Sequence, residues 1–182
     1  MTIKFSAYLL LCAGAVLNGS GGEIESRPLE ESSPNPGSTL FYKIPPSESG
    51  IEHFIPIDAD HPLARAYHSS SACSAVAVGD LDLDGRPDIF AGSGPGENGL
   101  FLQTGKMKFT NVTREAGVTG GDGAWAVGVT LADIDNDGDL DIYVCNYDYP
   151  NQLFINQTIV DGKRTGGPLR FIEKAAEYGL DI

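Results

Sequence analysis

The chain has 182 residues, with 25 acidic side chains against 12 basic ones and a formal charge of −13. So acidic a chain offers no electrostatic footprint for nucleic acid or for an anionic membrane surface.

At the N-terminus, Lys4 precedes an apolar run from Ala7 to Leu17 that contains the small residues Ala13-Gly14-Ala15. This predicts a secretory signal over residues 1–19, too short to be a transmembrane segment, and hence a secreted or cell-envelope protein. Lipoprotein anchoring at Cys12 is disfavoured, because Leu11 stands where a lipid-attachment motif needs a small residue. Residues 20–40 are rich in Gly, Ser, Pro and Glu, with little to bury, and read as a flexible linker.

A strand is expected at Phe41-Tyr42-Lys43-Ile44, leading to Gly50-Ile51. His53, His61 and His68 follow in a Pro- and Ser-rich stretch, at intervals that no regular element converts into a metal site, so a structural or exposed role is expected. Ser69-Ser70-Ser71 beside His68 has neither a nucleophile elbow nor an orienting acid. No catalytic residues are read anywhere in the chain.

The next element, Ser74-Ala75-Val76-Ala77-Val78-Gly79, reads as a strand. It runs into Asp80-Leu81-Asp82-Leu83-Asp84-Gly85-Arg86-Pro87-Asp88, a D-x-D-x-D-G-x-x-D pattern. Alternate residues bring three carboxylates around one point, the glycine permits a sharp turn, and the last Asp returns as a fourth ligand. Hard oxygen donors at this density select Ca²⁺ over softer metals. An EF-hand would need Glu at the twelfth position and a helix on either side, whereas Ala91 stands there and Ile89-Phe90 continues as a strand. Gly92, Gly94, Pro95 and Gly96 form a turn. Two further strands, Leu100–Gln103 and Phe109–Val112, complete the unit.

The same order then recurs. Trp125, a packing residue, precedes the strand Ala126–Leu131, and the loop Asp133-Ile134-Asp135-Asn136-Asp137-Gly138-Asp139-Leu140-Asp141 begins 53 residues after the first. Ile142-Tyr143-Val144, Leu153–Asn156 and Phe171–Lys174 are the remaining strands, with turn-formers between Asn146 and Asn151. A period of this size marks a repeat architecture. Four antiparallel strands per period predict an all-β fold: a partial β-propeller with blades at about 74–112 and 125–174, plus an orphan outer strand at Phe41–Ile44. Nine of the 25 acids lie in the two loops, a concentration that makes sense if cations offset it.

Strand, acidic loop, strand and hairpin together resemble the FG-GAP or VCBS repeat family, which includes the β-propeller of integrin α subunits. The resemblance covers about residues 41–182. The wording at Val76–Asp80, Pro87–Phe90 and Phe109–Gly117 is most similar to the cartilage-acidic-protein and ASPIC/UnbV group. The resemblance implies two Ca²⁺ sites. In the first, the side chains of Asp80, Asp82, Asp84 and Asp88 and the carbonyl of Arg86 are ligands; in the second, Asp133, Asp135, Asp137 and Asp141 and the carbonyl of Asp139. Each ligand set is local, so the two sites are expected to act independently. The integrin-type Phe-Gly is replaced by Val78-Gly79 and Val127-Gly128, and no Gly-Ala-Pro follows either loop.

The function expected is that of an exported, calcium-binding, non-enzymatic adhesion or binding module for an unidentified protein or glycan. The alternatives are a non-catalytic repeat region of a larger envelope enzyme, or a purely structural envelope protein. Two blades are fewer than a propeller needs, so a piece of a longer protein is expected, with self-association through open blade edges. Cys73 and Cys145 hold non-equivalent places in the repeat, so spacing does not decide for or against a disulfide between the units, and free or buried thiols are the default reading.

Overall fold

Runs rich in valine, isoleucine and phenylalanine, cut by glycine-bearing turns, satisfy their backbone hydrogen bonds by pairing with neighbouring runs. A computed structural model describes residues 42–55, 60, 74–94, 96–121 and 123–182. The signal segment, the linker, His61, His68 and Cys73 lie outside the described residues.

The pairing produces two four-stranded antiparallel sheets. In the first, β1 (Ser74–Gly79), β2 (Asp88–Ser93), β3 (Gly99–Gly105) and β4 (Lys108–Asn111) lie side by side in chain order. The second places β5 (Ala126–Ala132), β6 (Asp141–Asn146), β7 (Gln152–Asn156) and β10 (Phe171–Glu173) in the same order. The small hairpin of β8 (Ile159–Val160) and β9 (Lys163–Arg164) is inserted before the last strand. Its turn is Asp161-Gly162, both at positive φ, as a two-residue hairpin of right-handed twist requires. Registers coincide across the repeat: Val78 faces Ile89 as Leu131 faces Ile142, and Ile89 faces Phe101 as Ile142 faces Phe154. The fold is thus all-β, two neighbouring blades of a partial propeller with β1 beside β5.

The main core lies between the blades. Leu81, Phe90, Leu100 and Val118 from the first meet Ile142, Val144, Phe154 and Phe171 from the second. Two glycines allow the close approach: a methyl group added at Gly79 would lie 2.8 Å from Leu131 Cδ1, and one at Gly92 would lie 2.8 Å from Ala126 Cβ. Trp125 is buried, in keeping with a packing role.

Three one-turn helices follow the recurrent phenylalanine element: α1 (Pro46–Ser49), α2 (Thr113–Ala116) and α3 (Ala175–Tyr178), each closed by a left-handed glycine. Gly50 sits over the Phe109 carbonyl and Gly117 over the Phe171 carbonyl, so α1 holds on the first blade the place that α2 holds on the second. Ile51 and His53 then cover Phe101 on the first blade's outward face. His53 is therefore a packing residue whose burial lowers its pKa. The expected orphan strand is corrected here. Tyr42–Pro45 is not a strand, because no described strand lies beside it to pair and Pro45 and Pro46 lead directly into α1.

Candidate metal centres

Each D-x-D-x-D-G-x-x-D segment leaves an inner strand, turns, and returns in the next one. The first Asp organises the turn with its carboxylate. Asp80 accepts from the amides of Asp84 at 3.0 Å and Gly85 at 2.9 Å, and Asp133 accepts from those of Asp137 at 3.0 Å and Gly138 at 3.1 Å. Gly85 and Gly138 take φ of 86° and 104°, where a side chain would be strained. Leu83 and Asn136 also adopt positive φ, at 59° and 60°. Asparagine tolerates this conformation better than leucine, so the first loop carries more backbone strain.

The ninth residue ties the loop to its blade. Asp88 is fully buried and accepts from Leu81 N and Gln103 N, each at 2.9 Å; Asp141 accepts from Ile134 N and Asn156 N, each at 2.8 Å. Burial raises both carboxyls above the usual range, against these hydrogen bonds, which lower them. Burial likewise raises Asp82, with Asp84 adding to the effect.

Asp80, Asp82 and Asp88 bring carboxylate oxygens within 4.8 Å of one another, and so do Asp133, Asp135 and Asp141. Three convergent hard oxygens on a pre-bent loop, one of them buried, fit a divalent cation of the Ca²⁺ class. The other residues named from the sequence have different partners. Asp84 forms an ion pair with Arg86 and accepts from its amide at 2.9 Å; Asp137 accepts from the amide of Asp139 at 3.1 Å. Neither carboxylate joins the convergent trio. Arg86 and Asp139, expected to contribute carbonyls, use their side chains elsewhere. Arg86 Nε donates to the Gln103 carbonyl at 2.6 Å, and Asp139 accepts from Ile159 N at 2.7 Å. Only 1% exposed, Asp139 is pushed up to about 6 by burial, with Asp137, Asp141 and Asp135 adding to the rise.

Sequence reasoning missed two residues. Asn156 donates to the carbonyls of Leu81 at 2.8 Å and Leu140 at 3.0 Å, one in each loop. Arg164 donates to the carbonyls of Asp82 at 2.6 Å and Leu83 at 3.2 Å. A signal for the hairpin that carries Arg164 did exist: Phe109 and Phe171 are 62 residues apart, while the loops repeat at 53. The nine extra residues mark an insertion.

A helix long and apolar enough to cross a membrane is absent among the described residues. Comparison with known proteins agrees with the local geometry. Cartilage acidic protein 1 of Xenopus tropicalis is 33% identical over 104 residues, which cover 56% of this chain and 15% of that relative's length. Residues 80–144, from the first Asp of the first loop through most of β6, match the FG-GAP-like repeat.

Proposed function

We propose that this is an exported, non-catalytic, calcium-stabilised binding module in which each loop holds one Ca²⁺ and the blades present their connecting loops to a protein or glycan. The observation that carries the reading is the recurrence of one carboxylate trio, on one hydrogen-bond skeleton, at both loops. When bound, the ion would neutralise carboxylates that otherwise repel across a few ångströms. Asp80, Asp82 and Asp88 would hold it in the first loop, and Asp133, Asp135 and Asp141 in the second. The chain's own part is to fix those oxygens in advance through backbone amides and two buried aspartates. Extracellular modules of this kind work at dissociation constants of about 10⁻⁴ to 10⁻³ M, which an exported location would match.

Val76 and Val78, 63% and 61% exposed on the outward face of the first blade, support self-association as a further property. Binding to the folded state alone raises stability by mass action. Tm should therefore fall by several degrees when EGTA replaces millimolar Ca²⁺; an unchanged melt would refute the calcium reading. A glycan array probed with calcium-loaded protein tests the ligand class, and binding that survives EGTA would separate recognition from the metal.

A further inference from the structure

The ligands of each loop are local, but the groups that hold the loops in shape are shared. Asn156, 1% exposed, lies at the centre of this arrangement. Its backbone amide donates to Asp141, a carboxylate of the second loop's trio, at 2.8 Å. Its side-chain amide donates to the Leu81 carbonyl at 2.8 Å and the Leu140 carbonyl at 3.0 Å. The side-chain oxygen is saturated by Thr158, which donates from its amide at 3.0 Å and its hydroxyl at 2.8 Å, so the Asn156 amide has one orientation that fits. A second bridge runs through the inserted hairpin. Asp139 in the second loop holds Ile159 of β8, and Arg164 of β9 holds the Asp82 and Leu83 carbonyls of the first. Leu83 is the non-glycine residue of that loop at positive φ, so the hairpin clamps the first loop at its strained turn.

We infer that Asn156, with Arg164 behind it, is a positioning residue shared by the two loops, so that occupation of the second loop by Ca²⁺ strengthens binding at the first. The inference rests on the calcium reading above. An ion that fixes Asp141 and the backbone around Asp139 also fixes Asn156 N and the anchor of β8. The cost of ordering Asn156 and the hairpin is then met once, and the first loop binds into a scaffold already set. Linkage makes the effect reciprocal, and couplings of this kind commonly amount to about fivefold or more in affinity.

Asp135→Ala separates the possibilities, because Asp135 is an exposed member of the second trio. Amide hydrogen exchange of peptides spanning Leu81–Arg86 and Ile134–Asp139 is followed during calcium titration of the 182-residue chain. In the wild type both segments gain protection. In Asp135→Ala the first segment should need about fivefold more calcium for half-protection. Asn156→Ala should weaken the first loop similarly and make a further Asp135→Ala change nearly silent there. Arg164→Ala, at an exposed residue that cannot threaten the core, should shift the first loop and spare the second. Protection in neither segment of the wild type would defeat the calcium reading itself. Protection in both, with the first loop's midpoint unmoved by Asp135→Ala, would overturn the coupling alone. A shift that persists undiminished in both Asn156→Ala and Arg164→Ala would overturn the roles of these two residues.

Discussion

At its seventh position the first loop carries Arg86, which pairs with Asp84, and the second carries Asp139, which is buried and held near a pKa of about 6. Around this one exchange the surroundings differ throughout. The first loop lies against the other blade, with Leu81 fully buried and the Arg164 guanidinium on its carbonyls. The second has five aspartates, no cation of its own, and Ile134 in Leu81's place at 38% exposure. Two loops built on the same turn thus meet different electrostatics: one is partly neutralised by the protein's own cations, while the other has no basic residue within it to offset its carboxylates. A repeat can keep its skeleton and still divide labour between its copies.

The largest effect expected on this contrast comes from the buried ninth residue. Asp88→Ala would leave the amides of Leu81 and Gln103 without partners in a closed environment, costing about 3–5 kcal/mol in urea unfolding. Asp141→Ala leaves Ile134 and Asn156 amides unpaired, but water reaches the half-exposed Ile134, so about 2–3 kcal/mol is expected. Equal losses would argue that packing against the other blade does not distinguish the loops.

Next in size is a pH effect confined to the second loop. A carboxyl raised from 3.8 to about 6 carries an ionisation penalty of roughly 3 kcal/mol at most, present above pH 6 and relieved as pH falls through that value. The calcium-free protein should therefore gain stability between pH 7.5 and 5. Burial raises Asp82, Asp88 and Asp141 in the same direction. Asp139→Asn keeps an acceptor for Ile159 N while removing the charge. It should raise Tm at pH 7.5 and flatten the profile; a Tm that falls would show that the charge is stabilising.

The smallest effect concerns Arg86. Its side chain is about half exposed, so solvent screens its field. Arg86→Gln should release Asp84 and tighten calcium binding at the first loop about two- to fivefold at low salt, with less effect at high salt. Weaker binding would mean that the guanidinium's hold on Gln103 matters more than its charge.

Much of this was legible before any coordinates. Alternating valines and the identical spacing from Asp80 to Asp88 and from Asp133 to Asp141 specify strand, turn and strand, because the hydrogen bonds that close each turn are local. The choice of buried face was not legible. Val78 and Leu131 are equivalent in the repeat, yet Leu131 packs into the core between the blades and Val78 is exposed, since what decides is which neighbour each meets. Asn156 and Arg164 were invisible for a related reason: they act on carbonyls 75 to 82 residues away, and backbone acceptors carry no residue signature. The expected orphan strand failed for the same reason, since a strand is defined by its partner and no described strand pairs with residues 42–45.

Calcium titration of the EGTA-stripped protein by isothermal calorimetry tests the central claim most directly. Two ions per chain are predicted, with the tighter site lost in Asp135→Ala and the weaker one in Asp82→Ala. A stoichiometry of zero, or two sites that survive both substitutions, would contradict the account.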